Sequence, residues 1–424
     1  MFEKIQRIWR TKDLRNSVLF VISMLIIFRI AAHIPIPGVD TNNLRLFLEG
    51  NQILGLLNVF SGGTLENFSI VMMGVSPYIT ASIVFQLLQM VIPRLEEIAK
   101  EGESGQKKIN MYTRIAAVPF AILQGFGLIQ LLRRSQYQIL PNLDTFTFIG
   151  ILLTITAGTI FLMWIGELIT EQRIGNGISL LIFSGIVANL PGKLQNVLVN
   201  YNPSDLYTYL LFVLIAIITV VGVVIISEGQ RNIPVNYAKR MTPGNRSFSS
   251  QSSHLPLRVN MAGVIPIIFA VSFMVFPSII GQFFVNSGGW VGQFSRSVIT
   301  LFQNQVFYGS LYFVLVFAFT YFYTAVVFQP HKIAENLQKQ GGFIPGVRPG
   351  KETEQYLGRV MTRLVLTGAL FLAIIAVMPT LLQGFTGSKS LAIGGTSLLI
   401  IVSVAIETAK QIEAQLTVHE YDKI

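Results

Sequence analysis

The sequence predicts an all-α integral membrane protein with about ten transmembrane helices. Composition gives the first two observations behind this fold class. Apolar residues make up 52% of the 424 residues and charged residues only 12%, and the mean hydropathy is +0.59. Soluble domains carry about 25% charged residues, so this chain has too few to cover a water-exposed body of its size. The third observation is a series of long apolar runs.

Each predicted span is an apolar run of about 20 residues, the length that crosses a hydrocarbon core ~30 Å thick. The ten spans lie at residues 18–34, 76–93, 114–132, 148–169, 178–199, 206–227, 260–284, 305–328, 361–381 and 393–409. They divide into two halves of five, 18–199 and 206–409. An odd number of spans per half places the halves in opposite orientations, as in inverted-repeat channels and transporters.

The distribution of lysine and arginine orients these spans. With the N-terminus in the cytosol, 24 of the 31 basic residues fall in cytosolic segments and six fall outside, while Arg29 lies within the first span. Basic residues concentrate on the cytosolic side of membrane proteins. We therefore expect both the N-terminal segment 1–17 and the tail 410–424 to be cytosolic.

The first span contains one charged residue that needs its own interpretation. Its apolar run is longer than the 7–15-residue core of a cleaved signal peptide, so we expect it to be retained as a span. Arg29 stands near its outer end. At that depth we expect the guanidinium to snorkel to the membrane interface.

The sequence carries no motif for catalysis or cofactor binding. It has no cysteine, which excludes disulfides and cysteine-ligated metal sites, and it lacks the GxxxxGK[ST] and HExxH patterns. Glu167, Glu171, Glu228 and Glu407 fall at or near the cytosolic ends of spans, where they form no mid-membrane proton relay. We expect no cofactor and no enzymatic activity.

Residues 58–92 read as a discontinuous membrane segment. A short apolar piece ends near Phe60, the chain breaks at Ser61-Gly62-Gly63, and a full span follows from residue 76. Irregular backbone at membrane depth is tolerated only inside protein or beside a water-filled cavity. Val75 and Ile79 stand four residues apart and share one helix face, which ordinary helix packing would also explain.

A set of short motifs extends from the first half of the chain to its last span. They are 60–63 (FSGG), 77–83 (PYITASI), 100–105 (KEGESG), 170–179 (TEQRIGNGIS), 235–240 (VNYAKR), 259–266 (VNMAGVIP), 346–350 (GVRPG) and 394–400 (GGTSLLI). Each motif is weak alone, but in this order the set resembles the SecY/Sec61-alpha family of protein-conducting channels.

The resemblance implies two inverted five-helix halves around a central pore, with a short re-entrant plug helix and a side gate into lipid. It places the hydrophobic pore ring at Val75, Ile79, Ile182, Ile268 and Ile400. It places the plug at about residues 57–69, including Phe60, Ser61, Gly62, Gly63, Thr64 and Leu65.

The implied lateral gate pairs spans two and three against spans seven and eight, with polar positions at Gln86 and Asn260. Buried amides at such positions can hydrogen-bond across helices. For Gln86, a satisfied packing amide is an equally good interpretation.

The implied function is passage of unfolded secretory polypeptides across a bacterial plasma membrane and sideways release of hydrophobic segments, driven by a bound partner. The family's partners are SecE and SecG in the membrane and the SecA ATPase or a ribosome on the cytosolic face. The matching loops, 228–258 and 329–359, place partner-binding residues at Lys239, Arg240, Arg246, Arg348 and Lys351. The tip at 241–246 lacks the adjacent basic pair of many relatives, which puts the strength of ribosome contact in doubt.

Two other classes of protein fit ten spans. An ion-coupled transporter shares inverted halves and a broken helix, but it needs polar or charged residues converging at mid-membrane, which these spans lack. An assembly scaffold without a pore is the other class.

Overall fold

The computed structural model describes residues 2–50, 54–55, 57–58, 61–133, 135, 139–140, 144–199, 206–237, 252–285, 288–386 and 394–421. The helices, numbered in chain order, are α1 (Phe2–Arg10), α2 (Lys12–Ala32), α3 (Thr41–Gly50), α4 (Ser76–Val91), α5 (Pro93–Lys100), α6 (Glu103–Arg133), α7 (Thr145–Glu171), α8 (Gly177–Val199), α9 (Leu206–Glu228), α10 (Ile265–Phe284), α11 (Trp290–Gln303), α12 (Gln305–Val327), α13 (Pro330–Lys339), α14 (Lys351–Thr386) and α15 (Gly394–Tyr421). The strands are β1 (Gln230–Tyr237), β2 (Ser252–Arg258) and β3 (Gly342–Phe343).

The predicted spans coincide with helices α2, α4, α6, α7, α8, α9, α10, α12, α14 and α15. By length and composition alone, six of the described helices can cross a membrane. The number is seven if α4 and α5, bent by 101° at the break before Pro93, count as one span. The predicted class, an all-α membrane protein, is confirmed.

Three helices extend beyond their predicted spans on the side predicted to be cytosolic. Helix α6 begins at Glu103 rather than near residue 114, α14 begins at Lys351, and α15 continues through the predicted tail as far as Tyr421. Charged turns outside the hydrocarbon carry no apolar signal, although i,i+4 ion pairs support them. Glu103 and Lys107 form such a pair at 2.9 Å in the first turn of α6.

Helix α9 presents a broad apolar face to the surroundings. Its side chains that are at least half exposed include Leu210, Leu214, Ile217, Ile218, Val221 and Ile225. A contiguous exposed patch of this kind is unusual on a soluble monomer but normal on a helix that faces lipid.

The interior of the bundle is one hydrophobic cluster that draws on both halves of the chain. It extends from Val21 in α2 to Val404 in α15. The two halves therefore share a core rather than forming separate domains.

A second, smaller cluster lies where the two long predicted loops meet. Strands β1 and β2 pair antiparallel, and β3 adds to the other edge of β1. Ile233 and Leu257 from this sheet pack with Leu337 of α13 and Leu357 of α14. The described parts of loops 228–258 and 329–359 thus form one structured layer rather than two independent connectors.

The membrane orientation stays a prediction, and two exposed positions test it. Gly288 lies between α10 and α11, and Gln340 follows α13. Because the chain has no cysteine of its own, a membrane-impermeant maleimide applied from outside should label a Gly288→Cys variant and spare a Gln340→Cys variant. The reverse pattern would overturn the orientation. Gly342 is unsuitable because it is buried against Tyr237.

Candidate functional site

Residues 61–75 form a buried, irregular segment before α4. The backbone follows successive turns, and twelve of its fifteen residues are buried. Positive φ angles, which a right-handed helix does not contain, occur at Gly62, Gly63, Phe68 and Gly74. Within the predicted plug, residues 57–58 are helical, as are 54–55 before them, and residues 61–69 form a run of turns. The short plug helix stays a prediction. Phe60 lies outside the described residues.

Three side-chain hydroxyls hold these turns together. Thr64 Oγ1 lies 2.9 Å from Ser61 O and 3.2 Å from Met72 O, and Ser69 Oγ donates to Thr64 O at 3.2 Å. Ser61 Oγ donates to Asn58 O at 3.0 Å. Polar groups at membrane depth need such internal partners because no bulk water reaches them.

The irregular segment is also fixed to the chain that follows α2. Ile36 N donates to Phe68 O at 2.9 Å, and Ile70 N donates to Ile34 O at 3.0 Å. These two bonds form an isolated antiparallel bridge between Pro35 and Ser69. The segment is thus connected to the rest of the protein by backbone bonds as well as by packing.

Glycines on two spans allow the irregular segment to lie this deep. A Cβ on Gly185 of α8 would overlap the Cα atom of Gly62, and a Cβ on Gly158 of α7 would overlap the carbonyl oxygen of Ile70. Only a residue without a side chain permits such close backbone approach. Sequence analysis did not single out either glycine, since nothing in the sequence shows which backbone will approach it.

Arg29 has a partner that sequence analysis did not expect. Its Nη1 donates to Gly62 O at 3.1 Å, and its side chain is only partly exposed. The outer end of α2 packs beside the irregular segment, which supplies this carbonyl acceptor, and snorkelling to the membrane interface stays a prediction. A charged residue within an apolar run marked Arg29 in the sequence, but the sequence does not show which way its side chain points.

The structure buries all five residues predicted to form the pore ring. Each is at most 6% exposed, and each belongs to the one hydrophobic cluster of the bundle: Val75, Ile79, Ile182, Ile268 and Ile400. Leu65 and Phe68 of the irregular segment belong to the same cluster. Ring and plug positions therefore lie in one continuous apolar interior, to which the predicted ring contributes from α4, α8, α10, α15 and the end of the irregular segment.

The predicted gate amides do not pair with each other. Gln86 Nε2 donates to Ser82 Oγ at 3.2 Å, and Asn260 Nδ2 donates to Gly263 O at 3.3 Å, both within their own segments. Within the part of the chain that the structure describes, the buried side-chain oxygens of Gln86 and Asn260 have no hydrogen-bond partner. Each amide is thus only half satisfied.

The helices of the predicted gate do meet. Helix α10 contacts both α4 and α6. On the α4–α6 side, Gln124 Nε2 donates to Thr80 Oγ1 at 3.0 Å, a cross-helix bond that sequence analysis missed. On the other side, Phe269 of α10 packs edge-on against Phe319 of α12, with ring centroids 6.0 Å apart. Each wall of the gate therefore has its own internal ties.

The predicted partner-binding residues divide between described and undescribed loops. Lys239, Arg240 and Arg246 lie outside the described residues. Arg348 and Lys351 are exposed on a tight turn whose shape is fixed by two bonds, Val347 N to Ile344 O at 3.0 Å and Thr353 Oγ1 to Arg348 O at 2.9 Å. A firm turn presents the Arg348 side chain outward.

Two pairs of oppositely ionisable groups lie on this layer. Lys339 hydrogen-bonds Glu335 at 2.8 Å, which lowers the pKa of that carboxyl, and His331 lies 3.2 Å from Glu354. Among the described residues, no carboxylate lies within salt-bridge distance of Arg348, and no three His, Asp or Glu side chains gather to hold a metal ion. Arg348 is thus free to contact an external anionic group.

Comparison with known proteins identifies relatives along the whole chain. A family model described as SecY matches residues 69–409. The protein translocase subunit SecY of Streptomyces galbus is 42% identical over 436 aligned positions, which cover 100% of this chain and 99% of the relative. That of Corynebacterium glutamicum is 44% identical over 439 positions, covering 98% of each chain.

Solved structures share the fold at lower identity. A structure of a protein-conducting channel has a TM-score of 0.65 at 16% identity, covering 93% of this chain and 91% of that chain. Sec61 in the canine ribosome–channel complex has a TM-score of 0.63 at 16% identity, covering 94% and 91%.

Close packing at Gly158 generates a stability prediction. A Gly158→Ala variant forces a methyl group against the Ile70 carbonyl, and overpacking of this kind should destabilise the protein by about 1–3 kcal/mol. Gly150→Ala on the same helix is the control, because a Cβ there meets nothing within 4 Å. Thermal unfolding in detergent should show a lower Tm for the first variant only. Equal Tm values would mean that the irregular segment does not rest on α7.

Proposed function

The chain belongs to the SecY family, and from this premise we propose that it forms a protein-conducting channel with a hydrophobic ring, a plug and a lateral gate. The observation that carries the proposal is the buried irregular segment 61–75, which packs in the same apolar interior as all five predicted ring residues. A simple helical bundle has no need of such a segment, and irregular backbone at this depth is tolerated only where protein or a water-filled cavity surrounds it.

The proposed ring consists of Val75, Ile79, Ile182, Ile268 and Ile400. Aliphatic side chains leave a narrow pore dry, so an ion meets a desolvation barrier while an extended polypeptide can still pass. Such side chains also contact varied sequences without binding any of them strongly. The ring therefore serves as a seal that does not select its substrate.

The proposed plug fills the pore beside the ring at rest. Burial of Leu65 and Phe68 in the shared interior supports a closed, sealed arrangement. One structurally similar protein is described as a SecY whose plug domain stabilises the closed state and maintains a membrane seal. We propose the same role for the plug of this chain.

The proposed lateral gate opens between α4 and α6 on one side and α10 and α12 on the other. The half-satisfied amides of Gln86 and Asn260 support this location, since each leaves a buried oxygen without a donor among the described residues. A buried unpaired polar atom costs roughly 1–3 kcal/mol. Closure is thus less favourable here than at an apolar helix contact, and a hydrophobic signal segment can part the helices.

The driving force must come from partners, because the sequence has no nucleotide-binding motif of the GxxxxGK[ST] type. We propose that SecA or a ribosome binds the cytosolic layer at Arg348 and Lys351, and that SecE and SecG contact the exposed apolar helices. The setting would be a bacterial plasma membrane with both termini in the cytosol, as the basic residues indicate.

The ring makes a prediction about resting ion flow. Ile79→Asn and Ile400→Asn place a polar group in the dry layer, so water should enter and the resting current in planar bilayers should rise. Ile217→Asn on α9 is the control, because Ile217 is 56% exposed on the lipid-facing side and should leak no more than the native protein. Leu399 would be a poor control, since it is as buried as Ile400. Currents in the two variants as small as in the native protein would remove these residues from the ring.

Arg348 makes a second prediction. An arginine on a firm turn can bind a carboxylate or phosphate through two parallel hydrogen bonds, which lysine reproduces poorly. Arg348→Glu should therefore abolish partner-driven export from vesicles while leaving insertion and Tm unchanged, and Arg348→Lys should restore it only in part. Arg359→Glu, at an exposed arginine of α14 away from the turn, should export normally. Normal export by Arg348→Glu would reduce Arg348 to a residue that only sets topology.

A further inference from the structure

We propose that Arg29 is a latch that holds the plug closed and so sets how readily the channel opens. This inference rests on the proposed function, because it concerns the resting position of the plug. Arg29, a charged residue of the first span, is thus a positioning residue, because it acts on the pore by holding Gly62.

The latch bond joins a full positive charge to a backbone carbonyl. Arg29 Nη1 donates to Gly62 O at 3.1 Å from the last turn of α2. A charged residue within a span that faces the protein interior marks a functional position, because isolated burial of the charge is costly. Hydrogen bonds with a charged donor are about twice as strong as neutral ones. This bond is therefore stronger than the hydroxyl bonds inside the irregular segment.

The backbone around the acceptor is shaped to meet the guanidinium. Gly62 and Gly63 both have positive φ, 77° and 79°, which turns the chain sharply at this point. A Cβ on Gly62 would come within 3.1 Å of the ring of Phe28, the neighbour of Arg29, and within 3.0 Å of the Cα atom of Gly185 of α8. Gly62 thus packs closely against two spans, and its carbonyl oxygen accepts the bond from Arg29.

The surroundings of Arg29 strengthen the bond. Arg29 lies at an open groove of about 770 Å³ whose other lining residues are Ile22, Leu25, Ile26, Ile30, His33, Ile34 and Ser184. These side chains are predominantly apolar, and a low local dielectric makes a charged hydrogen bond stronger than it is in water. In the described part of the chain, no carboxylate lies within 4 Å of the guanidinium, so Gly62 O is its only hydrogen-bond acceptor there.

A second side-chain tether acts at Glu66 of the same segment. Arg45 Nε lies 2.7 Å from Glu66 Oε1, and Asn58 Oδ1 accepts a bond from Glu66 N at 3.1 Å. The Arg45 side chain is 59% exposed, and an exposed ion pair of this kind contributes little. Both side-chain tethers act beside the backbone bridge between Pro35 and Ser69, and the stronger of the two is therefore the one at Arg29.

The consequence for gating follows from what opening does to Arg29. When the plug leaves, the guanidinium loses its acceptor but remains in an apolar groove. The open state is penalised by that unpaired charge, so the plug returns once the polypeptide has passed. Arg29 thereby sets a threshold that a weak signal segment fails to overcome.

Single-cysteine labelling tests the latch directly, because the native chain has no cysteine. Ser61→Cys places a near-isosteric thiol at a position that is 3% exposed. In that background, Arg29→Gln should raise the rate of labelling by a membrane-impermeant maleimide by roughly tenfold to a hundredfold, the effect of losing one charged hydrogen bond. Removing a charge from a span also favours insertion, so failure to insert is not expected.

Two further variants separate a latch from simple packing. Arg29→Lys keeps a charged donor and should restore protection of the thiol in large part. Arg296→Gln is the matched control, since Arg296 also donates to a backbone carbonyl, Val285 O at 3.4 Å, far from the plug in sequence. It should label like the native background. Equal labelling of Arg29→Gln and the native background, or of Arg29→Gln and Arg29→Lys, would overturn the latch.

Currents in planar bilayers distinguish a failure of the latch from a failure of the proposed channel function. Arg29→Gln should raise the resting current and allow export of a substrate with a defective signal segment. If no variant conducts, including one that lacks residues 61–69, the channel function fails. The labelling result still decides whether Arg29 holds the segment, because it does not depend on conduction.

Discussion

The constraint on which this structure depends is that a membrane offers no water to backbone groups that leave helical geometry. Residues 61–75 leave it, with four positive φ angles among fifteen residues. The surrounding residues supply the hydrogen-bond partners that these backbone groups need. Internal hydroxyls satisfy some carbonyls, the bridge between Pro35 and Ser69 satisfies others, and a guanidinium reaches the carbonyl of Gly62. The bundle encloses the segment because, in contact with lipid, its backbone polar groups would lack hydrogen-bond partners.

The part of the fold that depends on composition could be predicted from the sequence. Ten helices coincide with ten apolar runs, because crossing hydrocarbon demands a length and an apolarity that a single chain displays directly. The ends of the helices were harder to predict. Helix α6 starts eleven residues before its predicted span, and α15 continues into the predicted tail. Outside the hydrocarbon, ion pairs and packing decide where a helix stops, and neither leaves an apolar pattern.

The candidate site was predictable only in outline, for a related reason. The resemblance to a known family singled out Val75 and Ile400, and their aliphatic character agrees with the burial that the structure shows. The direction of a side chain depends on what packs beside it. Arg29 was expected to reach the interface, yet it donates to Gly62, and the bond from Gln124 to Thr80 has no signal in either helix. Both cases depend on a neighbour that is distant in sequence.

A seal that must open repeatedly needs many contacts, each of which contributes little free energy while their sum stabilises the closed state. An ordinary hydrogen bond contributes about 0.5–1.5 kcal/mol net, and a charged one about 1.5–3 kcal/mol. Glycine contacts at Gly158 and Gly185 add close packing. At the proposed gate, the side-chain oxygens of Gln86 and Asn260, which have no partner among the described residues, act in the opposite direction, because they would leave a closed form less stable than it could be. The proposed resting state is therefore a balance. Several separable bonds hold the proposed plug, while the proposed gate retains an unfavourable burial that opening would relieve.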